Sequence, residues 1–178
     1  MKFKAKDGME YTIRLPEMSD AKALTGYINT LIEERPVGLP YRKKNTLKSE
    51  KDWLKGLLKG IRKNETVYYL AEKEGKIVAS ADLRRIGDGL DSAHLRIFGV
   101  TVLNEYRNKG LGTQLTRMLI EWAKKKKIDF IELSVYEKNP DAKRLYERLG
   151  FKEVAVIPKR IKRGKKYMDD IIMHLYLK

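Results

Sequence analysis

The chain has 178 residues, 42% of them hydrophobic and 35% charged, with a formal net charge of +15 at pH 7. The length suits one domain with a sizeable core, and no apolar run approaches the roughly 18 residues that a membrane-spanning helix needs. The absence of cysteine excludes disulfides, cysteine-ligated zinc and a thiol nucleophile, and two histidines are too few for a multi-histidine metal site.

Charge and residue usage also bear on location and partners. The first seven residues lack the apolar core of a signal peptide, so we expect a cytoplasmic protein. Excess positive charge attracts polyanions such as nucleic acid, ribosomes or a multiply phosphorylated cofactor, although a solvated, lysine-rich surface is the simpler interpretation. Abundant lysine and glutamate, a single glutamine at Gln114 and the lack of cysteine favour a thermophilic source.

In chain order, the hydrophobic pattern predicts a strand, two helices, three strands, a helix, a strand, a helix and two strands. The predicted strands span residues 9–15, 67–71, 77–83, 93–102, 130–136, 151–157 and 170–177, and the second and third form a hairpin. The predicted helices follow caps at Ser19 or Asp20, at Ser49 and at Asn139, and the third begins at Gly110. A crossover helix between the fourth and fifth strands indicates a mixed α/β layout.

The turn from the fourth strand into the third helix reads Arg107-x-x-Gly110-x-Gly112. Glycine in a first helical turn costs about 1 kcal/mol relative to alanine, so two of them indicate bare backbone near a ligand, or else tight packing of helix on strand. The N–H groups and positive dipole end of a helix bind phosphate. Because no Gly-Lys-Ser/Thr follows, a nucleoside-triphosphate P-loop is excluded, and the arginine argues against a dinucleotide fingerprint.

These residues resemble a known family. Arg107-x-x-Gly110-x-Gly112 is similar to the acetyl-CoA signature of the GNAT N-acetyltransferases, and residues 139–151 resemble the second motif of that family. The ending at 163–177 is similar to the branches that acetylate small amines, amino acids and protein N-termini. The resemblance, which covers residues 66–178, implies an α/β fold (an α+β mixed sheet), GNAT-like, with a central twisted sheet of about seven strands flanked by about four helices. Residues 1–178 would form a single acetyltransferase domain.

The resemblance also implies acetyl-CoA as cosubstrate, with no metal, in a V-shaped opening between the fourth and fifth strands. Val100 and Val102 would pair with the pantetheine arm through their backbone, and Asn139 would contact the same arm as well as cap its helix. Lys143 would neutralise the 3′-phosphate unless it is only solvated. The pyrophosphate would be held by the backbone amides of Arg107, Asn108, Lys109, Gly110, Leu111, Gly112 and Thr113.

The implied reaction is direct attack of an uncharged amine on the thioester. The Val102 N–H would stabilise the oxyanion, and Tyr146 would be the general acid that protonates the thiolate. Apart from the resemblance, Tyr146 stands beside Leu145 and Leu149 and is typical of a core aromatic.

The general base stays open. Arg96 stands where histone-acetylating relatives have a glutamate, and an arginine is not a base at neutral pH. His94, two residues earlier on the predicted strand face, has a suitable pKa range, but a structural histidine is the simpler interpretation. Asp82, a water chain and an amine that arrives deprotonated are alternatives. Arg96 would instead hold a substrate carboxylate, as in an amino-acid or peptide acceptor.

Two functions therefore remain open. The first is an acetyl-CoA-dependent N-acetyltransferase acting on a small amine, an amino acid, or a protein N-terminus or lysine. The second is a basic nucleic-acid- or ribosome-associated module that keeps a CoA-binding fold without activity, motivated by the basic runs 124–127 and 159–166, which lack interleaved aromatics. The amine acceptor is the partner expected for the first, and a protein or ribosome would suit the charge. No membrane partner is expected, and monomer and homodimer are both open.

Overall fold

Eight strands and four α-helices lie within residues 1–6, 8–39, 43–87 and 90–178, which are those that the computed structural model describes. In chain order they are β1 Lys2–Lys4, β2 Glu10–Arg14, α1 Ala21–Glu34, α2 Leu47–Arg62, β3 Val67–Lys73, β4 Lys76–Arg84, β5 Leu95–Val102, α3 Leu111–Lys125, β6 Phe130–Tyr136, α4 Pro140–Arg148, β7 Lys152–Arg163 and β8 Lys166–Tyr176. None of the helices in these ranges is long and apolar enough to cross a membrane. The predicted mixed sheet with four helices is confirmed, with one more strand than expected.

The chain divides into two compact units. The first comprises Met1–Arg84 and Gly99–Leu119, and the second comprises Arg85–Phe98 and Ile120–Lys178. Strand neighbours run β1-β2-β3-β4-β5 in the first unit and β5-β6-β8-β7 in the second, so that β5 contributes residues to both.

The first unit is built on an antiparallel hairpin with two amphipathic helices. Strands β3 and β4 pair from Val67 opposite Leu83 to Lys73 opposite Lys76, as the sequence predicts. Apolar side chains of α1 and α2, which include Leu24, Leu31 and Leu54, are buried in one cluster. Leu70 of β3 and Ile77 of β4 belong to the same cluster. Their helical spacing is what turns one face of each helix toward the sheet.

The helix caps differ from prediction. The cap of α2 is Thr46 and not Ser49, because Thr46 and Ser49 form a reciprocal capping box in which the Thr46 hydroxyl accepts the Ser49 N–H at 3.2 Å. Asp20 precedes α1 but makes no side-chain capping bond. Its carboxylate instead pairs with Arg14 at 2.6 Å.

The second unit contains the parallel step. Strands β5 and β6 pair in parallel from Leu95 opposite Phe130 to Ile97 opposite Glu132, which requires a crossover helix between them. Strand β8 pairs antiparallel with both β6 and β7.

Strand β7 runs six residues beyond the predicted end. Pro158 signals a stop in the sequence, but β7 continues past it through a register shift between Ile157 and Ile161. Lys159 within that shift has φ of +55°. A bulge on an edge strand accommodates proline without losing the pairing on the other side. The short β1 was missed because three residues carry too little periodicity for a prediction.

Candidate functional site

The turn before α3 contains two residues with a left-handed backbone. Asn108 has φ of +62° and Gly110 has φ of +88°, and alternation of left-handed residues with others turns successive N–H groups toward one concavity. The first helical hydrogen bond runs from the Gln114 N–H to the Gly110 carbonyl at 3.0 Å. The N–H groups of Leu111 to Thr113 therefore have no acceptor within the helix.

Gly110 is required for its backbone conformation. A Cβ at this position would meet only Lys6, with the nearest carbon 3.7 Å away, so space would permit a side chain. The positive φ, however, disfavours any residue other than glycine. This answers the question left by the sequence, where tight helix–strand packing was the alternative explanation for this glycine.

The Arg107 side chain holds the turn against the end of β5 and the end of α1. Its Nε donates to the Val102 carbonyl at 3.0 Å, and its guanidinium contacts Glu34 at 3.2 Å and the Asn104 side chain at 3.3 Å. The Arg107 N–H donates to the Asn104 carbonyl at 3.2 Å. Of the amides predicted to hold a pyrophosphate, that of Arg107 is thus already used, and its side chain fixes the turn to the end of β5.

At the end of β5, some backbone N–H and C=O groups face β4 and others point to the opposite side. The Leu103 N–H donates to the Val78 carbonyl of β4 at 3.0 Å. Because successive backbone groups of a strand point to opposite sides, the N–H of Val102 points away from β4. Val100 and Val102 are both half-buried. The predicted oxyanion donor therefore points away from the edge where β4 pairs.

A polar cluster on the α1 side of the first unit fixes β4 to β5. The Tyr27 hydroxyl donates a hydrogen bond to the Thr101 carbonyl at 2.9 Å and lies 2.8 Å from the Thr101 hydroxyl. The Ser80 and Thr101 hydroxyls lie 3.0 Å apart. Burial raises the pKa of Tyr27 to about 12, so the group stays protonated as a donor. We interpret this cluster as structural, since each hydroxyl has a protein partner.

Asp82 lies on β4 two residues after Ser80. Its Oδ2 accepts from Arg84 Nη1 at 2.7 Å, and burial raises the pKa of the Asp82 carboxyl. A Cβ at Gly99 of β5 would lie 2.7 Å from Asp82 Oδ1. The carboxylate thus occupies space that only a glycine leaves open. The signal for this contact was present in the sequence as a glycine inside a strand, which often marks close approach of another group.

Tyr146 lies in the second unit among aromatic rings. Its ring packs edge-on against Phe98, with ring centroids 5.5 Å apart. It is tilted relative to the ring of Phe151, with centroids 5.8 Å apart. The side chain is buried, and burial raises the pKa of its phenol. Among the residues that the structure describes, none accepts a hydrogen bond from the Tyr146 hydroxyl. The ring of Tyr146 is therefore part of the core, whereas its hydroxyl is available to donate to a ligand.

The two other predicted cofactor contacts lie on α4. Asn139 is the residue before the helix, and Pro140 takes the first helical position as predicted, but the Asn139 side chain makes no capping hydrogen bond to α4. Lys143 Nζ contacts Glu153 at 2.8 Å and Glu147 at 3.9 Å, and the Glu153 carboxylate raises the pKa of Lys143. Its charge is thus already offset by two carboxylates.

His94 does not lie on the predicted strand face. Strand β5 begins at Leu95, so the placement of His94 on that strand is wrong. His94 is exposed, its carbonyl accepts from the Asp129 N–H at 2.8 Å, and its ring stands edge-on to Phe130. The backbone bond to Asp129 holds this segment in a turn ahead of the strand.

Arg96 does lie on β5, but its side chain is buried. Only 6% of the residue is exposed, and Nη1 donates to the carbonyls of Ala93 at 2.9 Å and Leu95 at 2.8 Å. These bonds hold the guanidinium against the chain that leads into β5. A role in holding a substrate carboxylate stays a prediction.

Comparisons with known proteins point to one family. A model of the acetyltransferase (GNAT) family matches residues 26–151. The chain is similar to the uncharacterized N-acetyltransferase YobR of Bacillus subtilis, with 41% identity over 64 residues that cover 36% of this chain and 26% of that protein. It is also similar to the N-alpha-acetyltransferase of Sulfurisphaera tokodaii, with 26% identity over 163 residues that cover 86% of this chain and 87% of that protein. The chain therefore spans nearly all of one relative and well under two thirds of the other.

A solved structure gives the same fold. The chain is similar to a GNAT superfamily phosphinothricin acetyltransferase from Sinorhizobium meliloti in complex with AcCoA, with a TM-score of 0.81 and 16% identity. The match covers 98% of this chain and 89% of that one. At this identity the likeness concerns the fold.

Proposed function

Because the chain belongs to the GNAT acetyltransferase family, we propose that it transfers the acetyl group of acetyl-CoA to a primary amine by direct attack on the thioester. The acceptor would be a small amine, an amino acid, or a protein N-terminus or lysine. The observation that carries the proposal is the turn at 108–113, where two residues with positive φ lead into the open N-terminus of a helix, an arrangement that suits a pyrophosphate.

The residues present fit acetyl-CoA. Left-handed Asn108 and Gly110, followed by the open first turn of a 15-residue helix, offer several N–H donors and a positive dipole end to two phosphates. The backbone edge of Val100 and Val102 would pair with the pantetheine amides. Asn139 would contact the same arm. Lys143 would reach the 3′-phosphate only by leaving Glu153.

Tyr146 would supply the proton to the leaving sulfur. A phenol whose pKa is raised by burial stays protonated throughout the physiological range, and a hydroxyl with no acceptor among the described residues is available to a ligand. The Val102 N–H would bind the oxyanion, where a donor fixed in advance stabilises charge more than solvent does.

Binding and turnover test the proposal separately. We expect millimolar acetyl-CoA to raise the melting temperature, because a ligand that binds only the folded state stabilises it. We also expect release of free thiol from acetyl-CoA when a panel of amines, amino acids and peptides is supplied. No thermal shift and no acetylation of any amine would contradict the proposal. Nucleic-acid binding that persists at physiological salt would then favour the alternative of a basic module without activity.

A further inference from the structure

Asp82 stands in an unusual position for a carboxylate. It lies on β4, the middle strand of β3–β4–β5, near one end of the β3–β4 ladder, opposite Tyr68 on one side and beside Gly99 on the other. Its side chain is 17% exposed, so solvent or a small ligand reaches it. A hydrophobic alternative at this position would cost less desolvation, and the sheet core therefore gives no reason for an acid here.

The charge of Asp82 is balanced by a partner at the protein surface. Arg84, on the same strand, contacts Oδ2 through a side chain that is itself 56% exposed. Strand β5 contributes the uncharged Gly99, and β3 contributes Tyr68, whose pKa burial raises further. The carboxyl of Glu50 on α2 adds negative charge near Tyr68. Among the described residues, the cation that balances Asp82 is therefore an exposed side chain, which a ligand can reach.

We propose that Asp82 is the general base of the transfer, and that the acceptor arrives as a primary ammonium cation that docks against the Asp82 carboxylate. The inference rests on the proposed function. Gly99 belongs to the same proposed site, because a residue without a Cβ leaves room for Asp82 Oδ1. The exposed Arg84 guanidinium would be displaced by the incoming cation, which carries the same charge and donates the same kind of hydrogen bond.

An N–H bond of the ammonium breaks and its proton passes to Asp82, while the electron pair stays on nitrogen. That pair forms the C–N bond to the acetyl carbon as the C–S bond breaks. The thiolate takes a proton from Tyr146, the second proton lost from nitrogen restores the tyrosine through solvent, and Asp82 returns its proton to solvent. The raised pKa of the Asp82 carboxyl makes it a stronger base toward the ammonium.

The experiment compares the pH dependence of thiol release in the wild-type enzyme and in Asp82→Asn, using an alkylamine that the wild type accepts. We expect Asp82→Asn to lower kcat by about 100-fold or more at neutral pH and to remove the limb by which kcat rises on the acid side. The residual rate should climb with pH into the alkaline range, since the amine then loses its proton to water. Acetyl-CoA should still raise the melting temperature of the variant.

Three further variants keep the test independent of folding. Gly99→Ala should lower kcat, because the added Cβ displaces Oδ1, whereas Gly56→Ala on α2, where a Cβ meets nothing within 4 Å, should not. Asp141→Asn, at an exposed carboxylate, should keep both rate and pH profile.

The possible outcomes separate the two claims. An active wild type whose pH profile is unchanged in Asp82→Asn overturns the role of Asp82 and leaves the acetyltransferase proposal in place. A wild type that neither binds acetyl-CoA nor releases thiol overturns both.

Discussion

The two units treat a buried tyrosine hydroxyl in opposite ways. In the first unit, the Tyr27 hydroxyl lies within hydrogen-bond distance of the Thr101 carbonyl and hydroxyl. In the second unit, the Tyr146 hydroxyl has no acceptor among the described residues, and rings of Phe98 and Phe151 flank it. Burial raises the phenol pKa in both cases. A raised pKa alone therefore does not separate a tyrosine hydroxyl that bonds within the protein from one available to a ligand, whereas the hydrogen-bond partners do.

The strongest test of this contrast is Tyr146→Phe. We expect kcat to fall about 100-fold, because a positioned proton donor contributes on the order of 10²–10⁴ in rate, while the free energy of unfolding should stay within about 0.5 kcal/mol because no protein hydrogen bond is lost. Thiol release and urea denaturation measure the two quantities. An unchanged kcat would remove Tyr146 from the role of general acid.

The second test separates cofactor binding from proton donation. Gly110→Val places a β-branched residue at φ of +88°, and strain of about 1–3 kcal/mol at such a position should weaken acetyl-CoA binding roughly 5- to 150-fold. Titration calorimetry with acetyl-CoA measures the effect. Gly26→Ala on α1, where a Cβ meets nothing within 4 Å, is the matched control and should bind normally. Normal affinity in Gly110→Val would show that the backbone conformation at this turn does not matter for the cofactor.

The contrast also marks what could be predicted from sequence. The strand-to-helix turn was predicted because its residues, Arg107, Gly110 and Gly112, stand close together in the chain, where local pattern is informative. The Asp82–Gly99 contact joins residues from different strands, so it depends on a register that no local pattern specifies. The same holds for the contact between Tyr146, itself named from the sequence, and Phe98, which is far away in the chain. His94 was misplaced because strand ends are set by backbone bonds such as that to Asp129, not by periodicity.

Tyr27→Phe should give the reverse of Tyr146→Phe. Removing the hydroxyl leaves the half-buried Thr101 and the buried Ser80 short of a partner, which costs about 1–3 kcal/mol of unfolding free energy. Because Tyr27 takes no part in the proposed chemistry, kcat at saturating substrate should not change. Urea denaturation alongside thiol release measures both. A large loss of kcat without loss of stability would mean that the polar cluster of the first unit belongs to the reaction and that its hydrogen bonds are not merely structural.

The smallest effect concerns the pH dependence of stability. Burial raises the pKa of Asp82 in the folded state, so the folded protein favours the protonated carboxyl more than the unfolded chain does. That contribution is fully present below the unfolded pKa and is lost as pH rises through the folded pKa. Asp82→Asn carries no charge at any pH, so its melting temperature should exceed that of the wild type at pH 8, and the difference should shrink as pH falls toward 4. Thermal denaturation over this range measures it. A variant less stable than the wild type at pH 8 would mean that the bond to Arg84 outweighs the desolvation of the carboxylate, and that Asp82 is retained for structure.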